Sequence, residues 1–437
     1  MKPYLNSSLC ACGKIHKTTV DEVIIASGAI DRIPAILQKY TVKKVFVLSD
    51  INTYMAAAER VCALLSLVHL PFSQYSFPDE NLKPDERSVG SALMHFDNDC
   101  NFIIAVGSGV INDIGKILSQ NTGNKYMIVA TAPSMDGYAS ATSSMIMNGL
   151  KISINSQCPN VIIGDIDVLR QAPEPMLKAG LGDMLAKYVS ITEWRISHLI
   201  NNEYYCPVVA ELIRSSLKNC VDNATGLLNR ESTAIAAVFE GLVTAGMAMT
   251  YTGVSRPASG VEHYFSHVWD MRGLEFGTKT DLHGIQCAMG TSITVRLYEI
   301  LKTFSPNSEK AFHYVNCFCY ENWCQELKRF LGNSAETMIA LEAQEQKYSK
   351  SAHKARYHII EENWNSILKI LNEELPDPQK LKRLLDTIGI SDNLSSLDIT
   401  SEIAALTFKT TKDIRDKYIL SRLAWDLGIL DDLCDFI

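Results

Sequence analysis

The chain has 437 residues, of which 47% are hydrophobic and 21% charged, and its formal net charge is −8. That length supports two or three domains, and the composition is that of an ordinary globular protein. The acidic balance argues against nucleic acid as a partner, because proteins that bind phosphodiester backbone carry basic surfaces. No apolar run approaches the ~20 residues that cross a bilayer, and the first residues lack the apolar stretch of a secretory signal. We therefore expect a cytoplasmic protein without a membrane partner.

The twelve cysteines are scattered along the chain, mostly within apolar segments. This distribution is typical of buried thiols in a reducing compartment. Cys10 and Cys12 are the exception, because together with His16 they have the C-x-C-x₃-H spacing that suits zinc. The neighbouring sequence offers no fourth ligand, so it favours an ordinary turn, with a metal site as the alternative.

The N-terminal part of the chain alternates short β-rich runs with helical patterns. The predicted strands are residues 22–26, 43–48, 101–106, 125–130 and 160–163, and helices are predicted at 52–69 and 111–120. Such alternation predicts a mostly parallel, Rossmann-like α/β sheet with helices on its faces. In sheets of this kind, ligands bind beyond the carboxyl ends of the strands.

Strand signals nearly vanish after residue 168. Amphipathic helical patterns cover residues 176–201, 208–228, 232–249, 307–331, 352–375 and 381 to the end, and Pro173-Glu174-Pro175 marks the junction. We therefore predict two domains. Residues 1–168 form an α/β dinucleotide-binding domain, and residues 169–437 form an all-helical domain that binds metal and substrate.

A glycine-containing turn follows the predicted strand at 101–106. Glycines let backbone N–H groups approach a pyrophosphate, and the next helix directs its positive end at the anion. The predicted cofactor contacts in this segment are Gly107, Ser108, Gly109 and Asp113, and the alternative is a plain tight turn. Asp50 follows an earlier strand, where it either faces an adenine ribose or caps a helix.

The strand at 125–130 leads into a loop rich in small hydroxyl side chains. Thr131, Ser134 and Ser140 belong to this loop, which also contains a proline and an acid. This composition suits a loop around the nicotinamide half of a dinucleotide, and a capped turn is the alternative. We predict that these three residues contact the cofactor.

Three further segments carry side chains of the types that bind metals. Asp183 is predicted to open a long helix, His263 and His267 share a helical face, and His283 precedes a small, apolar helix. Two imidazoles and one carboxylate leave a coordination position open, which is the pattern of a catalytic rather than a structural site.

The motifs around these residues resemble those of a known enzyme family. They are Thr131-Ala132-Pro133-Ser134-Met135-Asp136-Gly137, Gly180-Leu181-Gly182-Asp183, Ser259-Gly260-Val261-Glu262-His263 and His283-Gly284. The resemblance is to sn-glycerol-1-phosphate dehydrogenases, within the superfamily of iron-dependent alcohol dehydrogenases, glycerol dehydrogenases and dehydroquinate synthases. It extends over nearly the whole chain, including Ile414-Arg415-Asp416-Lys417-Tyr418 and Ala424-Trp425-Asp426-Leu427-Gly428. One departure is the phosphate loop, commonly Gly-Gly-Gly-Ser/Thr in that family and Gly107-Ser108-Gly109-Val110 here.

The resemblance implies a metal held by Asp183, His263 and His283, with zinc, nickel and iron(II) all acceptable. It also implies NAD(H) or NADP(H) as cofactor and a homo-oligomer, a dimer or larger. The implied reaction is reversible hydride transfer between NAD(P)H and dihydroxyacetone phosphate, which gives sn-glycerol 1-phosphate. The proton for the alkoxide would come from His267 or from a metal-linked water, and His267 could instead be a core histidine. Asp136 resembles the loop aspartate that contacts substrate hydroxyls in glycerol dehydrogenases.

A phosphorylated substrate needs a cation. Lys187 follows Asp183 by four residues and is our first choice for this role, with Arg256 and Lys151 as further candidates. Each could instead be a solvated surface charge. Three alternative functions stay open: a glycerol dehydrogenase without the phosphate requirement, a dehydroquinate-synthase-like lyase that uses NAD catalytically, and a non-catalytic scaffold.

Overall fold

The structure is a computed structural model and describes residues 9–437. By compactness the chain divides into two units. The first extends to Met184 and resumes over Val208–Ser255, and the second contains Leu185–Pro207 and Arg256–Ile437. We predict the domain boundary at residue 168, where the sequence pattern changes from strands to helices. The division by compactness instead places two later helical segments, 169–184 and 208–255, in the unit that contains the sheet. The predicted domain boundary stays a prediction.

The first unit is built on a parallel sheet. Its strands and those of a separate hairpin are β1 (Glu22–Ala26), β2 (Val45–Asp50), β3 (Phe72–Phe77), β4 (Phe102–Gly107), β5 (Lys125–Ala130), β6 (Thr142–Met147), β7 (Leu150–Asn155) and β8 (Val161–Asp165). The order across the sheet is β1-β8-β5-β4-β2-β3, and every neighbouring pair is parallel. Strands β6 and β7 form the antiparallel hairpin. The predicted α/β class is confirmed, and all five predicted strands are present.

Strand β3 and the hairpin escaped the sequence prediction for local reasons. The segment Phe72–Phe77 contains three aromatic and three polar residues and lies half-buried at the sheet edge, so it lacks a continuous apolar run. The hairpin turns at Asn148 and Gly149, which have φ angles of 51° and 77°. Asn-Gly with positive φ is the preferred two-residue hairpin turn, so this signal was available in the sequence.

The burial of the central strands explains why their sequences are continuous apolar runs. All six residues of β4 are buried, and five of the six residues of β5 are buried. Helices cover both faces of a parallel sheet, so neither face of these strands meets water.

Helices alternate with the strands as far as β5 and follow one another without further strands after β8. Those up to residue 252 are α1 (Ile33–Leu37), α2 (Ile51–Thr53), α3 (Glu59–Leu67), α4 (Glu86–Met94), α5 (Gly109–Thr122), α6 (Ile166–Leu169), α7 (Glu174–Leu185), α8 (Lys187–Asn201), α9 (Pro207–Asp222) and α10 (Ser232–Thr252). The later ones are α11 (Val261–Phe276), α12 (His283–Leu301), α13 (Ser308–Asn316), α14 (Tyr320–Leu331), α15 (Ser334–Glu345), α16 (Lys350–Glu362), α17 (Trp364–Glu374), α18 (Pro378–Thr387), α19 (Ser401–Thr411), α20 (Leu420–Asp426) and α21 (Leu430–Cys434). The second unit, all of whose residues are described, contains no strand, which confirms the helical C-terminal region.

Helix α10 corrects one expectation. Among the described residues it is the one helix that is long and apolar enough to cross a membrane by length and composition. Of its most apolar window, 72% is buried inside the protein, as expected of a core helix. The expectation that no apolar run reaches spanning length is therefore wrong for α10. Its small residues pack in the core of the first unit.

Candidate active site

Three loops meet at the carboxyl edge of the sheet. Strand β4 lies between β2 and β5, and Gly107 at the end of β4 is in register with Ala130 at the end of β5. The strands are parallel, so the loops that follow β2, β4 and β5 leave from the same edge. These loops contain Asp50, the glycine turn and the hydroxyl-rich segment 131–140, as the sequence predicts for a ligand-binding edge.

The glycine turn joins β4 directly to helix α5. A Cβ on Gly107 would lie 2.5 Å from the Cβ of Ile111, so a larger residue cannot occupy this position without a shift. Ser108 is the N-cap residue of α5, but its side chain makes no capping hydrogen bond. Its hydroxyl is instead hydrogen-bonded to the hydroxyl of Ser134 at 2.6 Å and accepts from Tyr138 Oη at 3.3 Å. Ser108 thus connects the glycine turn to the next loop.

A buried lysine holds the hydroxyl-rich loop. Lys116 is fully buried on α5 and donates to Gly137 O at 2.6 Å, Thr142 O at 3.0 Å and Ser140 Oγ at 3.1 Å. Asn112 Nδ2, one turn earlier, also donates to Gly137 O, at 3.2 Å. Lys116 is absent from the predicted site residues, although a lysine on the buried face of an amphipathic helix was a usable signal. The loop conformation is therefore determined by α5.

Two of the predicted cofactor residues make internal contacts. Asp113 accepts a hydrogen bond from Ser144 N at 3.2 Å and lies 3.5 Å from Lys116 Nζ, and burial raises the pKa of its carboxyl group. The hydroxyl of Ser140 donates to backbone oxygens of its own loop. Thr131 and Ser134 are also buried. These side chains shape the loops at the sheet edge.

Asp50 caps the helix that follows β2. Its Oδ1 accepts from Thr53 N at 2.8 Å, and Thr53 Oγ1 accepts from Asp50 N at 2.9 Å. This reciprocal pair is a capping box, the helix-capping alternative that the sequence left open. Asp50 stays half-buried at the same sheet edge as the glycine turn.

Asp183 lies close to the end of a helix and not at its beginning. Helix α7 starts at Glu174 and ends at Leu185. Pro175 lies in its first turn, where a helix tolerates proline. The prediction that Asp183 opens a helix is therefore wrong. Asp183 is fully buried, and its Oδ2 accepts from Asp136 N at 2.9 Å. The carboxylate of Asp183 and the loop residue Asp136 are thereby placed side by side in the first unit.

The second unit brings two of the predicted histidines together. The ring centroids of His263, on α11, and His283, the first residue of α12, are 5.0 Å apart. His263 Nδ1 donates to Glu262 Oε1 at 2.7 Å, and His283 Nδ1 is hydrogen-bonded to Ser266 Oγ at 2.9 Å. Side chains that hold one ring nitrogen in this way orient the other nitrogen for a metal.

Cys287 accompanies the histidine pair, and sequence analysis missed it. It is buried one helical turn after His283, and its sulfur lies 3.5 Å from His283 Nε2. Ligand atoms of Cys287, His263 and His283 all lie within 4.8 Å of one another. The i, i+4 spacing from His283 was the signal that could have found it.

His267 is stacked on His283. The two rings are 6.0 Å apart and inclined by 26°, and His267 is half-buried one turn after His263 on α11. The three imidazoles therefore form one cluster in the second unit.

The cationic candidates are held by neighbouring groups. Lys187 is fully buried at the start of α8, and its Nζ donates to Ala258 O at 3.0 Å. Arg256 is buried and bonded to Glu203 at 2.6 Å and 2.7 Å, so its charge is already paired. Lys151 lies on the hairpin strand β7.

Buried charges surround the loop before α11. Glu193 accepts from Val261 N at 2.9 Å and Leu420 N at 2.8 Å, and burial together with the carboxylate of Glu262 raises its pKa to about 8. Lys417 Nζ donates to Ser259 O at 2.8 Å, and burial lowers its pKa to about 7. Hydrogen bonds with the side chains of Glu193 and Lys417 therefore hold the start of α11, which carries His263.

Comparison with known proteins places this arrangement in a family. Residues 24–173 match the family described as iron-containing alcohol dehydrogenase. The glycerol-1-phosphate dehydrogenase [NAD(P)+] of Halalkalibacterium halodurans is 29% identical over 418 residues, which cover 95% of this chain and 94% of that protein. The enzyme of the same name from Geobacillus thermodenitrificans is 35% identical over 65% of this chain and 71% of its own length.

A solved structure shares the fold. The iron-containing alcohol dehydrogenase of Thermococcus thioreducens superposes with a TM-score of 0.64 and 12% identity, over 96% of this chain and 99% of that one. At this identity the likeness concerns the fold alone. The relatives of higher sequence identity show the family, and the chain belongs to the glycerol-1-phosphate dehydrogenases.

Proposed function

We propose that this protein is an NAD(P)-dependent, metal-dependent sn-glycerol-1-phosphate dehydrogenase that reduces dihydroxyacetone phosphate to sn-glycerol 1-phosphate. The observation that carries the proposal is the match to the Halalkalibacterium halodurans enzyme over 95% of this chain and 94% of that protein. A match of this extent includes both the sheet edge and the histidine cluster.

We assign the metal to Asp183, His263 and His283. The residues fit a divalent ion, because both imidazoles are held at Nδ1, Asp183 and His263 are buried, and His283 is half-buried. When bound, the ion acts as a Lewis acid toward the carbonyl oxygen of the substrate. Glu262 and Ser266 fix the ring orientations, and Asp136 N–H holds the carboxylate of Asp183.

The dinucleotide belongs at the carboxyl edge of the sheet. We assign its pyrophosphate to the backbone of Gly107, Ser108 and Gly109 at the start of α5, and its nicotinamide half to the loop with Thr131 and Ser134. When bound, NAD(P)H supplies the hydride. The Ser108–Ser134 hydrogen bond fixes the two loops relative to each other before the cofactor arrives.

The remaining cofactor residues have supporting roles in this proposal. Asp113 and Ser140 hold the loops through the contacts that they share with Lys116. Asp50 keeps its capping bond, while its position after β2 suits a ribose hydroxyl. A carboxylate there disfavours a 2′-phosphate, so we expect NAD(H) to be preferred over NADP(H).

Three side chains complete the proposal on the substrate side. We assign Asp136 to a substrate hydroxyl and Lys187 to the phosphate charge. His267, stacked on His283, holds the proton that is transferred to the C2 oxygen of the product. We also propose that the protein works in the cytoplasm and forms a homo-oligomer. Light scattering on the purified protein would test the oligomeric state.

The deciding experiment measures NADH oxidation with dihydroxyacetone phosphate after chelation and after readdition of Zn²⁺, Ni²⁺ or Fe²⁺. We expect activity to vanish on chelation and to return with at least one ion. His263→Ala should abolish it, whereas the matched control His358→Ala, at an exposed histidine on α16, should not. Inactivity with every ion would overturn the proposal.

The same assay separates the alternative functions. Equal turnover of dihydroxyacetone and its phosphate would indicate a glycerol dehydrogenase. Binding of NAD without net consumption of NADH would indicate a lyase. Failure to bind metal or NAD(H) would indicate a scaffold.

A further inference from the structure

The N-terminal cysteine cluster lies outside everything assigned above. Cys10 and Cys12 are half-buried, and His16 is buried with 2% of its surface exposed. Ligand atoms of the three side chains lie within 4.8 Å of one another, all in the first unit. The alternative that the sequence left open, a metal site, therefore has three ligands in place.

The backbone explains how the three side chains converge. Cys10 N donates to Lys14 O at 2.9 Å, Gly13 N donates to Cys10 O at 2.9 Å, and Leu9 pairs with Ile15 in an antiparallel bridge. The segment thus forms a tight hairpin that keeps both thiols close to the imidazole that follows it.

His16 has the orientation of a metal ligand. Its Nδ1 donates to Tyr251 O at 2.9 Å, which leaves Nε2 as the unprotonated nitrogen, and Nε2 lies 3.4 Å from Cys12 Sγ. Metal-bound histidines commonly donate the other ring N–H to a backbone carbonyl. In tetrahedral zinc sites a thiolate sulfur and an imidazole nitrogen are about 3.6 Å apart, as follows from the usual bond lengths.

We propose that Cys10, Cys12 and His16 bind a zinc ion. Two thiolates and one imidazole, all from the first unit, supply three of the four ligands of a tetrahedral zinc ion, and a water molecule completes the set. This site is independent of the proposed dehydrogenase function.

The test uses the whole chain with His263→Ala and His283→Ala, which remove two of the three ligands assigned to the catalytic metal. After zinc loading, we expect one zinc per chain and an X-ray absorption spectrum with two sulfurs and one imidazole nitrogen among the ligands. Zinc-free protein after loading, or a spectrum without sulfur ligands, would overturn the proposal. This measurement leaves the cluster itself unsubstituted, so it does not depend on whether cluster variants fold.

Variants identify the ligands. Cys10→Ser and Cys12→Ser should each weaken zinc binding at least ~10-fold, since each variant removes one of the three protein ligands. Cys62→Ser, at a buried cysteine outside the cluster, is the matched control and should keep full zinc content. Unchanged zinc affinity in Cys12→Ser would reduce the Cys12–His16 contact to a simple hydrogen bond and refute the site. Unchanged affinity in Cys10→Ser would refute the three-residue set.

Discussion

Gly180 offers a sharp test of how helix α7 supports the cofactor loop. A Cβ at this position would lie 1.8 Å from Pro133 O and 2.8 Å from Pro133 C, which are backbone atoms of the hydroxyl-rich loop. Backbone cannot rotate away as a side chain can. In Gly180→Ala the helix and the loop must therefore separate by more than about 1 Å to reach ordinary contact.

Two opposing effects set the magnitude. Alanine in place of glycine inside a helix is favourable by ~0.5–1 kcal/mol, because it lowers the entropy of the unfolded chain. Overpacking of this kind costs ~1–3 kcal/mol. The two effects together predict a net loss of about 0–2.5 kcal/mol in the free energy of unfolding. Pro133 directly precedes Ser134, so the shift should also reduce kcat/KM, by up to ~100-fold for a displacement near 1 Å.

Urea unfolding and steady-state kinetics measure the two effects. Gly90→Ala on α4 is the matched control, because a Cβ there meets nothing within 4 Å. It should stabilise the protein by ~0.5–1 kcal/mol and leave kcat/KM unchanged. If Gly180→Ala were as stable and as active as Gly90→Ala, the close packing of α7 on the loop would be refuted.

The remaining predictions concern charge and metal. His263→Ala should lose the catalytic metal in elemental analysis and lower kcat/KM at least ~10³-fold, since Lewis-acid stabilisation supplies several kcal/mol; full metal content and activity would contradict the ligand assignment. Lys187→Met, which keeps the length of the buried side chain, should raise KM for dihydroxyacetone phosphate at least ~10-fold more than KM for dihydroxyacetone, and equal effects would remove Lys187 from the phosphate site. The pKa of Glu193 is raised from 4.5 to about 8, so the folded protein binds this proton more tightly than the unfolded chain does. The stability that results is complete below pH 4.5 and is lost as the pH rises to about 8. Glu193→Gln should flatten that decline, which is at most ~1.4 kcal/mol per pH unit, in urea unfolding measured across the window; an unchanged slope would show that Glu193 titrates normally.

Much of the fold was accessible from the sequence, because its signals are local. The apolar run of β4 ending in Gly107 predicted a buried parallel strand followed by a helix. The spacing of His263 and His267 predicted a shared helical face, and both lie on α11. The half-polar strand β3 carried no such signal, and the Asn148-Gly149 turn carried one that apolar periodicity alone overlooks.

Other features depend on contacts between distant segments. A lone aspartate such as Asp183 reads as a helix cap, and only the folded chain shows that it lies near the end of α7 against the loop residue Asp136. Lys116 appears as an ordinary helix lysine until its three hydrogen bonds to the loop are visible.

The sequence by itself determined the α/β class, the family and the residue types suited to a metal and a dinucleotide. These follow from periodicity and motif spacing, which are properties of neighbouring residues. Only the tertiary structure decided that Ser108 bonds to Ser134, that Glu262 and Ser266 orient the histidine pair, and that His16 turns one nitrogen toward Tyr251. Each of those contacts joins groups whose distance and orientation exist only once the chain has folded.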